Sequence, residues 1–395
     1  MKKDQIDALK AHSSLIFLIK VSLCTLILLG GCQAFAGKVT FAPYFSIDET
    51  YNSNVFYLDQ NRAGDFSASL VAAFPLIFSS PSKKFTFRYM PYREVYRKYE
   101  QLNYTGHDVS STYEASGKRY DLQIRESFSY SQRQGYQLDY QGFPVTVLGR
   151  TTITTNTFNL AYGLKIRNIS SIDVSIDHLL LKYEDLPTYD FEDTTVASSG
   201  FDNLFALKSR KNWIGYFYQF RNFQFETIPD QKENAIGLAY KYERLPNTRF
   251  VIKAGAFGID EKSTDQENEI YLHADLLRSF AKGYIRLVIS RDAGSPGGLG
   301  GLSVDERCFL SFSYGATARA SFGSSAEYYR RNPFQEEFVD YATYAVATVF
   351  DFKVSRKLSL SLSHRYVDQR PEKGDDLKAK FHAVSFHLEI HPFRD

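Results

Sequence analysis

Apolar and polar residues alternate along the chain after residue 38, in runs of about ten residues separated by polar turns. In the first run, Val39, Phe41, Pro43, Phe45 and Ile47 share one face, and Thr40, Ala42, Tyr44, Ser46 and Asp48 share the other. The same division recurs at 158–167, 172–177, 358–363 and 386–391. Side chains of a β-strand point alternately to opposite faces, so this period of two predicts strands with unlike faces.

The connections between these runs alternate in length. Short turns are predicted at 79–84, 116–119, 168–171, 209–212, 244–248, 278–282, 315–319 and 354–357. Longer polar stretches lie at 50–65, 99–108, 131–150, 184–201, 226–234, 260–268, 292–306, 330–340 and 367–378. Short turns alternating with long loops are typical of outer-membrane β-barrels, which have tight periplasmic turns and longer outside loops.

Counting strands between these connections predicts an all-β protein: a transmembrane, antiparallel, up-and-down β-barrel of about 18 strands, with 16 as the alternative. An even number would place both termini in the periplasm. Backbone N–H and C=O groups must be paired inside a bilayer, which favours a closed barrel over an open sheet. A soluble β-sandwich is the competing interpretation, and at this length it would need two domains.

The amino terminus resembles a secretory signal. Residues 1–12 are weakly positive, and Val21–Leu29 is apolar apart from Ser22 and Thr25. This apolar segment is too short to span a bilayer comfortably, and a membrane anchor is the alternative interpretation. Two cleavage positions overlap: small residues before Gly37 favour cleavage after Ala36, and the run that ends at Cys32 is similar to a lipoprotein lipidation site. We favour Ala36 because a strand pattern begins at Val39. The predicted domains are therefore a signal peptide at 1–36 and a barrel at 37–395.

Composition narrows the class further. Aromatic residues make up 16% of the chain, with 28 Tyr and 33 Phe, which excludes a disordered protein. A mean hydropathy of -0.32 excludes a helical membrane bundle. The 47 basic and 45 acidic residues imply no nucleic-acid partner. Tyrosines near predicted strand ends could form interfacial girdles: Tyr92, Tyr96, Tyr183, Tyr216, Tyr218, Tyr242 and Tyr329.

The alternation also predicts which side chains face the lumen. Polar residues on the inferred inner face are candidates to line a pore: Arg88, Glu94, Lys165, Asp173, Asp177, Arg286, Ser290, Ser359, Ser361, His387 and Glu389. Both signs of charge are present, so no sharp ion selectivity is predicted. Consecutive same-face residues lie about 6–7 Å apart, which makes His387, Glu389 and His391 a poor metal site. We predict no catalytic residue, no metal and no cofactor.

The segment from Tyr44 to Phe56, which contains Tyr51-Asn52-Ser53-Asn54, followed by Gly64-Asp65-Phe66 and Pro75, resembles the opening of the beta-barrel porin type 2 family. That family includes outer-membrane barrels associated with exopolysaccharide and PEP-CTERM sorting loci. Ser53 stands where the family pattern has Asp, and the close likeness covers about thirty residues. The resemblance implies an envelope protein involved in polysaccharide export or a related passage.

These observations together predict a porin-like channel in the bacterial outer membrane that passes a hydrophilic solute or an exopolysaccharide, and that is not an enzyme. A non-conducting structural or docking barrel of a secretion assembly is the first alternative, and a barrel enzyme is the second. The predicted partners are outer-membrane lipid and the barrel assembly machinery, with polysaccharide or export-complex proteins as further candidates.

Overall fold

The structure is a computed structural model, and it describes residues 37–56, 62–131, 134–138, 144–150, 152–166, 169–184, 194–207, 212–225, 229–242, 247–261, 267–294, 302–334, 340–371 and 378–392. The predicted signal peptide at 1–36, including Cys32 and Ala36, lies outside the described residues and stays a prediction. Within the described residues, no helix is long and apolar enough to cross a membrane.

Strands account for nearly all of the regular structure. They are β1 (Lys38–Phe41), β2 (Tyr44–Asn52), β3 (Asp65–Ser79), β4 (Lys83–Tyr96), β5 (Tyr104–Ser116), β6 (Tyr120–Ser131), β7 (Gln134–Leu138), β8 (Pro144–Arg150), β9 (Thr152–Ile166), β10 (Ser170–Glu184), β11 (Thr194–Ala206), β12 (Asn212–Phe225), β13 (Gln231–Tyr242), β14 (Thr248–Glu261), β15 (Glu267–Phe280), β16 (Gly283–Gly294), β17 (Ser303–Gly315), β18 (Ala320–Pro333), β19 (Tyr341–Lys353), β20 (Leu358–Pro371) and β21 (Ala379–Ile390). A short 3-10 helix, η1, covers Glu100–Leu102.

The sheet closes on itself. Each barrel strand pairs antiparallel with its neighbours, and β2 pairs with both β3 and the last strand, β21. β1 and β2 pair with β3 in the same register, so together they form one interrupted strand. Pro43, which has no N–H to donate, lies in the gap between them. Counting β1 and β2 as one strand and leaving out the separate β7–β8 hairpin gives 18 barrel strands. The prediction of 18 rather than 16 is confirmed.

The two rims of the barrel differ. One rim, here called the turn end, carries the short connections, such as that between β3 and β4, together with Gly37 and the end of β21. The opposite rim, here called the loop end, carries the long ones. Most of the predicted long stretches are shorter in the structure: β5, for example, already begins at Tyr104, β11 at Thr194 and β17 at Ser303. The predicted loop at 131–150 contains the β7–β8 hairpin.

The outer face of the barrel is apolar. Its side chains alternate along the strands with inward polar ones, and the large exposed hydrophobic residues include Ile176, Ile236, Leu238, Ile270, Leu310, Phe350, Leu362 and Phe386. Every strand of a closed barrel has its backbone groups paired, so an apolar outer face is compatible with hydrocarbon. The alternation in sequence therefore corresponds to a wall with lipid-compatible and polar faces.

The predicted tyrosine girdle is wrong in part. Tyr216 and Tyr218 are exposed on the outer face, as expected. Tyr92, Tyr96 and Tyr329 are buried inside the barrel instead. They occupy the inward positions of their strands, since Tyr92 and Tyr96 alternate in step with Glu94. The side chain of Tyr183 lies outside the described residues.

Candidate functional site: the barrel lumen

The strand registers place all eleven predicted lumen residues on the inward face. They are Arg88 and Glu94 on β4, Lys165 on β9, Asp173 and Asp177 on β10, Arg286 and Ser290 on β16, Ser359 and Ser361 on β20, and His387 and Glu389 on β21. Outward apolar residues alternate with many of them, as Ile176 does with Asp177. Whether these side chains line a conducting path stays a prediction.

A wide cavity of about 1270 Å³ opens inside the barrel towards the turn end, and we call it the vestibule. Its wall comes mainly from β4–β6 and β9–β15. Six acidic residues line it, Glu114, Asp121, Asp173, Asp177, Asp202 and Asp275, and so do six basic ones, Lys83, Lys84, Lys165, Lys241, Arg249 and Lys253. The vestibule is therefore polar and carries no net formal charge.

An ion pair crosses part of the vestibule wall. Nζ of Lys253 on β14 lies 2.6 Å from Oδ2 of Asp202 on β11, three strands away. The lysine passes over the ring of Phe217 on β12, with its Nζ 5.4 Å from the ring centroid. Small inward residues between these strands make this possible, since a Cβ on Gly237 would lie 2.7 Å from the Phe217 ring. Sequence reasoning missed Asp202 and Lys253, although both share the inward parity.

Asp173 is an exposed carboxylate of the vestibule. It lies directly opposite Asp202 on β11 and Gly163 on β9. A Cβ on Gly163 would lie 2.7 Å from Oδ1 of Asp173, so this glycine leaves room for the carboxylate. Two neighbouring carboxylates repel each other. Lys253 neutralises one of them, and Asp173 is left facing the water of the vestibule.

A second cavity, of about 890 Å³, continues along the wall of β15–β20. Arg286 forms a fork to Asp275 there, with Nε 3.0 Å from Oδ1 and Nη2 3.1 Å from Oδ2. Several serines and glycine line the rest, among them Ser311, Ser321, Gly323, Ser324, Ser325 and Ser363. These small side chains alternate with larger apolar ones such as Leu277, Phe309 and Val349, so this cavity is wide and only partly polar.

The loop end of the lumen is packed. Nη1 of Arg221 on β12 donates to the carbonyl oxygen of Ala293 on β16 over 2.6 Å, and its Nε lies 2.6 Å from Oε2 of Glu233. Four strand spacings separate β12 from β16, roughly 19 Å along the wall. The ladder between β15 and β16 ends at Arg291, so Ala293 belongs to a part of β16 that has separated from β15, and the contact with Arg221 forms there. The side chains of Arg221 and Glu233 are only 4% and 0% exposed.

Apolar and charged groups share this packed region. Phe217, Phe223, Phe257, Ala293 and Leu302 belong to one buried cluster. Beside it, Nε of Arg307 lies 2.9 Å from Oε1 of Glu327, and Oγ of Ser303 donates to Oδ1 of Asp305 over 2.7 Å. A Cβ on Gly294 would lie 1.7 Å from Oδ2 of Asp305, so only glycine fits opposite that carboxylate. The loop end is thus narrower than the vestibule.

The residues of the N-terminal motif hold loops against the barrel. Oδ1 of Asn52 accepts from the N–H of Asn54, and the side chain of Asn54 donates to the carbonyl of Lys380. The carboxylate of Asp65 accepts from the backbone N–H groups of Lys98 and Tyr99. Asn52, Asn54 and Asp65 are all buried. The motif residues therefore have a structural role: they pack this part of the first connection against the barrel.

Glu94 is also fixed by hydrogen bonds. The hydroxyl groups of Tyr96 and Tyr104 donate to its two carboxylate oxygens, each over 2.6 Å. This tyrosine cradle accounts for two of the buried aromatic side chains at the loop end. The two hydrogen bonds fix the orientation of the Glu94 carboxylate on the inner face of the barrel.

The inner face at the seam between the first and last barrel strands carries a chain of polar contacts. Nδ1 of His387 on β21 lies 2.5 Å from Oδ1 of Asp48 on β2, and Nε2 of His387 lies 3.7 Å from Glu389. His391 contacts the other oxygen of Glu389. Oγ1 of Thr50 donates to Oγ of Ser385 over 2.8 Å. These side chains join the two strands that close the barrel.

No family model and no curated protein matches the sequence. Solved structures similar in fold include OccK2 (OpdF) of Pseudomonas aeruginosa, at 9% identity and a TM-score of 0.49. A BenF-like porin of Pseudomonas fluorescens Pf-5 has 9% identity and a TM-score of 0.46, and OccAB3 of Acinetobacter baumannii has 10% and 0.45. Each comparison covers 89% of this chain and 98% of the other. The likeness concerns the fold alone.

The barrel's own geometry gives its location. A closed antiparallel barrel with an apolar outer face and short turns at one rim only is the form in which bacterial outer-membrane proteins cross their bilayer. The chain is a multi-pass β-barrel of that membrane, with outer-membrane lipid against its outer face.

Proposed function

We propose that the protein is a porin-like channel that admits small hydrophilic solutes to a vestibule and passes them through a narrower loop end. The observation that carries this proposal is the polar-lined cavity of about 1270 Å³ inside a closed barrel. An interior of this width is expected of a barrel with 18 strands. The proposal needs no covalent chemistry, and no residue is assigned a catalytic role.

The charge pattern supports neutral or weakly charged solutes. Acidic and basic residues are equal in number along the vestibule wall, and several pair across strands. Lys165 lies 3.1 Å from Asp121, and Lys253 lies 2.6 Å from Asp202. Paired charges cancel at a distance, so the wall should exert little net field on a passing ion. Weak ion selectivity follows.

Passage of an exopolysaccharide strand is a finer proposal, and its support is the resemblance of 44–66 to the beta-barrel porin type 2 family. A polymer strand would occupy both ends of the barrel at once. The buried contact of Arg221 with Ala293 would have to separate for that to happen. Small solutes are therefore the substrates favoured by the geometry.

The packed loop end favours a second candidate, a non-conducting structural or docking barrel. Arg331 and Gln369 are inward residues with 0% exposure, so neighbouring groups cover them completely. A barrel that stays closed in this way would anchor an export assembly and carry no current. This candidate predicts export-complex proteins as partners.

Reconstitution of the purified barrel in planar bilayers separates the two candidates. The channel proposal expects discrete conductance steps with weak ion selectivity. Absence of steps from a preparation that migrates anomalously on gels until boiled would show a folded barrel that does not conduct. That outcome would overturn the channel proposal and favour the docking barrel.

A further inference from the structure

A cation–aromatic patch lies on the lipid-facing wall near the loop end, on β18–β21. It consists of Tyr328, Tyr344, His364, Tyr366, Asp368, Arg370, Lys380 and His382. These positions alternate in step with the exposed apolar residues Val346, Leu362 and Val384. The patch therefore faces away from the lumen and has no part in the solute path.

Ring contacts join the patch across neighbouring strands. The rings of Tyr328 and Tyr344 lie 5.3 Å apart, and those of Tyr366 and His382 lie 4.7 Å apart. The ring of His364 stacks on that of His382 at 5.6 Å. Aromatic side chains with a polar tip are suited to the boundary between hydrocarbon and headgroups.

Two cations lie on these rings. The guanidinium of Arg370 is 5.5 Å from the centroid of Tyr344, and Nζ of Lys380 is 5.6 Å from the centroid of Tyr366. Asp368 accepts from both Nε and Nη2 of Arg370, at 3.2 and 2.6 Å. The Arg370 side chain nevertheless stays 63% exposed, whereas that of Asp368 is 11% exposed. Asp368 positions the guanidinium and leaves its outer side open.

The height of the cations matches a headgroup layer. Arg370 lies twelve residues along β20 from Leu358 at the turn end. At about 3.3 Å per residue and a tilt of about 40°, that distance is roughly 30 Å along the barrel axis. Lys380 lies ten residues from Ile390, or roughly 25 Å by the same measure. The apolar band of such barrels is about 25 Å tall, so both cations lie at its upper edge.

We propose that this patch binds a phosphate-bearing glycolipid headgroup of the outer leaflet. The loop end faces outward in this topology. The outer leaflet there is built from phosphorylated glycolipid, and guanidinium and ammonium groups bind phosphate through charge-assisted hydrogen bonds. The stacked rings form a flat surface on which the sugar and the adjoining part of the acyl chains can pack. The proposal rests on the outer-membrane location and is independent of conductance.

The test is lipid binding to the full-length barrel in a zwitterionic detergent, followed by native mass spectrometry. The probe is purified bis-phosphorylated lipid A. Removing both cations, in Arg370→Ala with Lys380→Ala, is expected to weaken binding about tenfold, because the lipid phosphates lose both basic partners while Asp368 remains. Enzymatically dephosphorylated lipid A should bind the natural protein as weakly as lipid A binds the variant.

A matched control removes two cations from the same rim and the same face, in Arg93→Ala with Lys182→Ala on β4 and β10. This control should bind lipid A within twofold of the natural protein. Equal losses in the two variants would overturn the proposal, because they would show general charge attraction. Displacement of lipid A by an excess of inorganic phosphate would also overturn it, because it would show a site for the free anion.

Two further measurements keep the result clear. Heat-modifiable migration of both variants shows that each barrel is folded. The mass spectra also show whether the barrel forms dimers. If the patch variant loses a dimer but still binds lipid A as the natural protein does, the patch is a contact between copies. That result would contradict the proposal. Conductance is recorded on the same preparations, so failure of the channel proposal is seen separately.

Discussion

Nζ of Lys253 and Oδ2 of Asp202 lie 2.6 Å apart although two strands, β12 and β13, separate the strands that carry them. The pair stands over Phe217 and adjoins the open carboxylate of Asp173. The pair therefore links strands that are not neighbours, and it neutralises one of the two adjacent carboxylates of the vestibule.

Neutralising one partner of this pair should change ion selectivity. Asp202→Asn leaves the lysine charge in place and should shift the reversal potential in a salt gradient towards anions, while Lys253→Met should shift it towards cations. A shift of several millivolts is expected, since the two side chains are about a quarter exposed and water screens them. The double variant restores the charge balance and should return the reversal potential to its natural value. Identical potentials in all four proteins would contradict the role of this pair.

The buried pair at the loop end should control both stability and current. Arg221→Ala leaves Glu233 buried without its charge partner and should destabilise the barrel by about 3–5 kcal/mol. The midpoint of heat-modified migration should fall, and mean conductance should rise because the link to Ala293 is lost. The control is Arg221→Met with Glu233→Leu. Apolar replacement of a buried pair is close to neutral, so this control should recover most of the midpoint, and the loss that remains should come from Asp292, whose carboxylate lies 3.4 Å from Arg221. A conductance that stays natural in Arg221→Ala would separate this region from the solute path.

Two glycines on the inner face should differ in their tolerance of a methyl group. Gly294→Ala would place Cβ 1.7 Å from Oδ2 of Asp305, whose carboxylate is held by Ser303. The inner packing must shift, at a cost of about 1–3 kcal/mol. Gly163→Ala meets the end of the exposed Asp173 side chain at 2.7 Å, which can rotate away, so its effect should stay within about 0.5 kcal/mol. Thermal midpoints of the two variants check this order, and a reversed order would be inconsistent with a rigid loop end.

The seam should depend little on any one side chain. His387→Ala removes the contact with Asp48, but the backbone ladder between β2 and β21 remains. Both side chains are about 30% exposed, so a loss of about 0.5–1.5 kcal/mol is expected. Ser361→Ala, on the neighbouring strand β20, is the comparison. Complete loss of the heat-modifiable form in His387→Ala would show that this contact is required for closure.

The sequence determines the wall of the barrel better than its interior. Alternation assigned Asp173 and Asp177 to the inner face because facing depends only on parity along a strand. Tyr92 and Tyr96 alternate in step with Glu94, so the same parity places them inside the barrel. Their assignment to an outer girdle did not take this parity into account. The contact of Arg221 with Ala293 could not be predicted from a periodic pattern. It depends on how far the end of β16 leaves the wall, and 72 residues separate the partners.

The division of the wall into water-facing and lipid-facing positions can be tested directly on β10. Asp173→Cys, made together with Cys308→Ser, should react with a charged, membrane-impermeant thiol reagent when the barrel is in vesicles, because Asp173 faces the vestibule. Ile176→Cys in the same background should not react, because that position is 46% exposed on the apolar outer face. Cys308 is exposed on that face too. A mature protein that begins at Gly37, as we predict, lacks Cys24 and Cys32, so it should resist the reagent in vesicles and react in denaturant. Mass spectrometry of the labelled chain measures each outcome. Labelling at Ile176 but not at Asp173 would invert the two faces and would require a different register for the whole barrel, since one residue of slip turns every side chain to the other face.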